Sequence, residues 1–126
     1  MQPQTLLLRQ VHPKWIKDGH VMSLAFRPFP KDDGLLSVYD GDKITCERSW
    51  SHYTQTLGYP SDSVWAVTVA EAAAVALPAR PHPVENFPEH SVIDFTQHAR
   101  KQQEAKAKIM AAKAEERGRL YSPPPA

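Results

Sequence analysis

A chain of 126 residues, 41% of them hydrophobic and 23% charged, is sized for one domain and too apolar to be disordered over most of its length. Its longest uncharged apolar runs, 64–70 and 72–78, fall far short of the roughly 20 residues that cross a bilayer, and a lone Cys46 excludes an intramolecular disulfide or a multi-cysteine zinc site. The net charge of +1 conceals a division, because residues 1–97 carry 8 basic against 11 acidic side chains while residues 98–126 carry 7 against 3.

Thr5–Val11 reads as a strand ended by His12-Pro13, since proline holds the residue before it in an extended path. A turn over Lys14–Gly19 leads into a second strand, His20–Arg27, with both faces partly buried, in which Val21, Ser23 and Ala25 alternate with Met22, Leu24 and Phe26. The turn formers Pro28–Gly34 precede a third strand, Leu35–Tyr39. Cys46, Trp50, Tyr53 and Leu57 then recur at helical spacing, predicting a helix over Lys43–Leu57 that starts at the carboxylates of Asp40-Gly41-Asp42 and stops at Gly58. Ser63–Val67 has the composition of a buried strand. The motif Thr68-Val69-Ala70-Glu71 is a capping box that opens a short helix, Val69–Leu77. Four prolines make Pro78–Pro88 a loop, His90–Phe95 alternates as a last strand, and Gln97–Arg117, free of proline and glycine, forms a terminal helix closed by Gly118.

About five short strands, two body helices and a long C-terminal helix in irregular alternation predict a single α+β domain with a small mixed or antiparallel sheet. The expected organisation is a compact body over 1–97, a basic helix over 97–118 belonging to or docking on it, and a Pro-rich disordered tail over 119–126. The residues Met1–Arg9 lack the basic and long apolar segments of a secretory signal, so the expected compartment is the cytoplasm.

Candidate chemistry is sparse. No two of the six histidines stand at the i, i+4 interval of a helical metal site, and neither a metal nor a cofactor is expected. Ser23 and Ser37 lie on strands, outside the Gly-x-Ser-x-Gly turn that presents a catalytic serine, and Cys46 and His52 fall on nearly opposite sides of their helix. Asp32-Asp33 and Asp40-x-Asp42 occupy turns in which carboxylates usually cap backbone N–H groups. The terminal helix has a narrow, alanine-rich stripe of Phe95, Ala99, Ala105, Ile109 and Ala112, and Lys106, Lys108, Ile109 and Lys113 make up its candidate partner-binding surface. Contact of the same lysines with nucleic acid is an alternative, diluted by Glu104, Glu115 and Glu116.

Arg9, Ser23 and Glu71 occur in the chain order of the Arg, Ser and Glu with which arginine-type ADP-ribosyltransferases hold NAD, and the arrangement resembles that family at these three positions. The resemblance implies an NAD cleft with Arg9, Ser23 and Glu71 as catalytic residues. The chain departs from the family in lacking Ser-Thr-Ser around Ser23 and Glu-x-Glu around Glu71. Over about residues 5–118, the stretches Arg9–Pro13, Ser23–Pro28, Lys31–Asp42 and Pro88–Phe95 also resemble a group of short uncharacterised bacterial proteins, which implies a bacterial cytoplasmic protein and no reaction. The leading expectation is a small accessory protein that binds a protein partner through surface loops and the C-terminal helix, with no membrane association. A hydrolase using a histidine and a carboxylate is a further enzymatic alternative.

Overall fold

Alternating strand patterns and one long helix resolve into a split sheet with helices on both faces. A computed structural model describes residues 1–125 of the chain. Its strands are β1 (Leu6–Val11), β2 (Ile16–Lys17), β3 (His20–Val21), β4 (Leu35–Asp40), β5 (Ser63–Thr68), β6 (Ala79–Pro81) and β7 (His90–Asp94). The helices are α1 (Cys46–Ser51), α2 (Val69–Ala73) and α3 (Arg100–Arg117). Five strands make one antiparallel sheet in the order β5-β1-β4-β7-β6, and β2 pairs with β3 in a separate ribbon. The fold is therefore α+β, with the sheet antiparallel throughout.

Strand alternation sorts the core into two layers. Leu7, Val11, Leu36, Val38, Trp65, Val67 and Ile93 face α3, where they meet Ala107, Met110, Ala111 and Ala114. On the opposite face Leu8, Tyr39, Val64 and Ala66 meet Trp50, Tyr53 and the loop residue Phe87. Beside this layer, Gln10 donates to Ser49 Oγ at 2.9 Å and accepts from Ser61 Oγ at 2.8 Å, so a buried polar network ties β1 to α1 without an unmet donor.

Several elements differ from the sequence pattern. The expected second strand stops at Val21, and Ser23–Phe26 winds into a 3₁₀ turn. Ala25 N donates to Met22 O and Arg27 N to Leu24 O, local bonds that close the turn in place of a strand ladder. Helix α1 starts at Cys46 on a Thr45 cap and passes into a wider π-type turn over His52–Thr56. Asp42 instead accepts from Thr5 Oγ1, and its backbone N–H donates to Asp40 Oδ1. The predicted capping box is present, with Thr68 N donating to Glu71 Oε1 at 2.8 Å and Glu71 N to Thr68 Oγ1 at 3.0 Å. Its helix is shorter than expected, because Ala76 at φ +60° turns the chain back. Part of the proline-rich loop, Ala79–Pro81, pairs with β7 as an edge strand, a position that tolerates a residue without an N–H.

The tail is ordered into the body over its first residues, correcting the expected disorder of 119–126. Leu120 N donates to Val64 O and Val64 N to Tyr121 O, covering the free edge of β5, and Tyr121 packs on Trp50. Ala126 lies outside the described residues.

Candidate functional site

The most informative irregularity in the sheet lies between β1 and β4. They are paired only at Leu7↔Asp40 and Leu8↔Tyr39, whereas β1 stays with β5 out to Val11↔Ser63 and β4 stays with β7 out to Leu35↔Asp94. Beyond Leu8 the sheet divides into two halves, and a cleft of about 320 Å³ opens between Leu8–Gln10 and Ser37–Tyr39. Its walls come from Trp15, from the Phe29–Asp32 loop, from Tyr53, Leu57 and Tyr59 after α1, and from Phe87 and His90.

Arg9 spans the split. Its Nη1 donates to Ser37 O at 2.8 Å, a β4 carbonyl that the diverging β1 does not reach, its Nε donates to Ala25 O of the 3₁₀ turn at 2.7 Å, and the guanidinium lies 5.8 Å from the Trp15 ring centroid. Among the described residues no carboxylate stands within ion-pair distance of it. Burial lowers the pKa of this guanidinium, with Tyr53 and Asp32 opposing the shift, so Arg9 is a poorly compensated cation at the cleft floor. Two of its five N–H donors are spent on carbonyls.

On the β4–β7 wall, His90 Nε2 lies 3.1 Å from the Oγ of Ser37, and His90 Nδ1 lies 2.6 Å from the carbonyl of His82. Burial holds the His90 imidazole below its usual pKa, with the His82 carbonyl working against that shift. Deeper in, Tyr39 Oη is 2.7 Å from His52 Nδ1, and burial, reinforced by Tyr53 and Glu89, raises the Tyr39 phenol well above its ordinary value. Tyr53 is raised for the same first cause. Both stay neutral hydroxyls at physiological pH. Burial likewise raises the Cys46 thiol, leaving a weak nucleophile.

Of the three catalytic candidates Arg9, Ser23 and Glu71, Arg9 alone lines this cleft, which Ser37 and Asp32 also border. Ser23 opens the 3₁₀ turn, and Glu71 is taken up by its helix cap and by a two-pronged pair with Arg117 at 2.9 and 3.1 Å. Arg9, Ser23 and Glu71 therefore do not surround one dinucleotide-sized space, because cap and ion pair hold Glu71 beyond the far end of β5. On α3, Lys106 donates to Val75 O at 2.6 Å, Lys113 stands 3.8 Å from Glu116, and Ile109 and Lys108 are exposed. Ala105, Ile109 and Ala112 are exposed on α3, while Ala107, Met110, Ala111 and Ala114 form its buried face. The pairing of Ser37 with His90 had no sequence signal, since it joins residues 53 apart through a strand register.

Among the described residues no group of three or more His, Cys, Asp or Glu is arranged to hold a metal ion, and no helix is long and apolar enough to cross a membrane. No protein-family model, curated protein or solved structure matches the chain.

Proposed function

We propose that this protein is a small cytoplasmic binding module that takes an anionic segment of a protein partner in the cleft between β1 and β4. The observation that carries the reading is Arg9, a cation with no carboxylate partner among the described residues at the floor of an aromatic-walled cleft. A carboxylate there gains a charge-assisted hydrogen bond worth about 1.5–3 kcal/mol. The mouth argues for a macromolecular ligand. Phe29, Leu57 and Tyr59 are 38%, 40% and 56% exposed around it, extending the apolar surface past what a small ion would use. These are surface loops, so the reading keeps the loop contribution expected from sequence and gives α3 a supporting role, since its buried stripe and Lys106 are committed to the body.

A peptide display library selected on the full chain tests this, with Trp15 fluorescence as the binding readout. The expected winners carry Asp, Glu or a free C-terminus next to an apolar residue, bind at least tenfold more weakly to Tyr59→Ala, and lose affinity again with Arg9→Lys. Winners without an acidic group, or equal binding to Tyr59→Ala, overturn the proposal. Quenching by phosphate or acetate alone would point to a small anion instead.

A further inference from the structure

The same cleft holds a second, independent arrangement. Ser37 is exposed on β4, and its cross-strand partner on β7 is Val92, so His90, two residues away on the same face, reaches it diagonally. A carbonyl oxygen only accepts, so the 2.6 Å contact with His82 O places the proton of neutral His90 on Nδ1. His82 Nδ1, 3.3 Å from the same nitrogen, fits this tautomer as a second acceptor. Nε2 is then the ring nitrogen with a free lone pair, and it faces Ser37 Oγ at 3.1 Å. Phe87 packs on the His90 ring at 5.1 Å between centroids. A hydroxyl, a base within hydrogen-bond reach and a group that orients the base are the three parts of an activated nucleophile.

We propose that Ser37 is a nucleophile and His90 its general base, acting on carboxylic esters with a compact acyl group. Ser37 Oγ bonds to the ester carbonyl carbon as its proton passes to His90 Nε2. The carbon–oxygen bond to the alcohol breaks, and the alcohol leaves with that proton. Water then attacks the acyl-Ser37 carbon, giving one proton to Nε2, which returns it to Ser37 Oγ as the carboxylic acid departs. Arg9, bonded to the Ser37 backbone carbonyl at 2.8 Å, holds the nucleophile's segment of β4 in place and adds positive charge to the cleft in which the ester oxygen becomes negative. The His82 carbonyl is the positioning group. The inference goes beyond binding, and its assay needs no partner, so its failure leaves the peptide reading standing.

The test is p-nitrophenyl acetate with the full chain, reading nitrophenolate release and intact mass. The expected result is an acetyl group on Ser37, found by peptide mapping, with acylation lost in Ser37→Ala and reduced at least 100-fold in His90→Gln. Added imidazole should restore part of the His90→Gln rate, which a merely structural histidine would not allow. Circular dichroism checks that both variants are folded, and a fluorophosphonate probe gives a second route to Ser37 in the unaltered chain. Release that persists unchanged in Ser37→Ala, or acetyl groups only on lysines together with no fluorophosphonate label, overturns the proposal.

Discussion

Replacing Met110 and, separately, Ile109 by alanine decides which face of α3 belongs to the core. Met110 is fully buried among the residues that α3 lays against the sheet, whereas Ile109, the next residue along the chain, is 44% exposed. Truncating a fully buried Met costs about 2–5 kcal/mol, because the lost burial is joined by a cavity that Phe26, Phe95 and Trp65 can only partly fill. For a domain of this length each kcal/mol moves the melting temperature by about 4 °C, so Met110→Ala should melt roughly 8–20 °C lower. Ile109→Ala gives up less burial and gains helix propensity, and should stay within about 0.5 kcal/mol of the parent. Far-UV circular dichroism melts and urea titrations of the three chains measure both. A larger loss from Ile109→Ala than from Met110→Ala would refute the packing described and return Ile109 to the core-facing stripe.

Two other outcomes follow from single contacts. A Cβ placed on Gly41 would lie 2.6 Å from Leu6 O, the carbonyl that accepts from Gly41 N at the closed end of the β1–β4 pairing. Gly41→Ala should therefore cost about 1–3 kcal/mol in urea unfolding, and a neutral result would mean that this junction yields. Acid should destabilise the protein in a defined window. Thr96 and then Arg80 hold the Asp94 carboxyl down to about 2, and at Glu71 the raising effect of burial is outweighed by bonds from Arg117 and Thr68, leaving its pKa lowered. Carboxylates depressed in the folded state add stability above their unfolded pKa of about 4 and lose it as pH falls toward the folded value. Urea midpoints should thus drop between about pH 4 and 2; midpoints that rise over that interval would contradict the assignment.

What the sequence disclosed and withheld follows from the range of each interaction. The capping box of Thr68 and Glu71 was readable because its partners are three residues apart, and β1, β4, β5 and β7 were readable from composition and alternation. The buried face of α3 is not legible from the apolar stripe alone. Ile109 is the largest aliphatic side chain on the helix, so it drew the stripe toward itself. The opposite surface is already filled by Trp65, Phe26 and Phe95, which leaves space for alanines and one flexible methionine. The second strand differs for another reason, since alternation in His20–Arg27 does not reveal the local bonds, Ala25 N to Met22 O and Arg27 N to Leu24 O, that wind Ser23–Phe26 into a turn. Arg9 was singled out for the wrong partners: the contacts that define it, to Ala25 and Ser37, depend on where two strands part company.

That parting also links stability to function. Past Leu8↔Tyr39 the two half-sheets lack a mutual ladder, and the Arg9 guanidinium bridges the 3₁₀ turn to β4 by satisfying Ala25 O and Ser37 O. The divergence that opens the cleft is therefore the reason a cation sits at its floor. Deleting the Arg9 side chain would leave two carbonyls without their donor and unmake the cleft together with its charge. Loss of binding in Arg9→Ala would consequently say little about recognition. The rim residues Phe29 and Tyr59 satisfy no strand carbonyl, their rings packing on Trp15 and Tyr53 with an exposed side, and losses there in a folded chain report on the ligand. Arg9→Lys retains the charge but gives up the planar fork that reaches two carbonyls at once, so a folded Arg9→Lys chain with weakened binding isolates the geometry of the guanidinium from its charge.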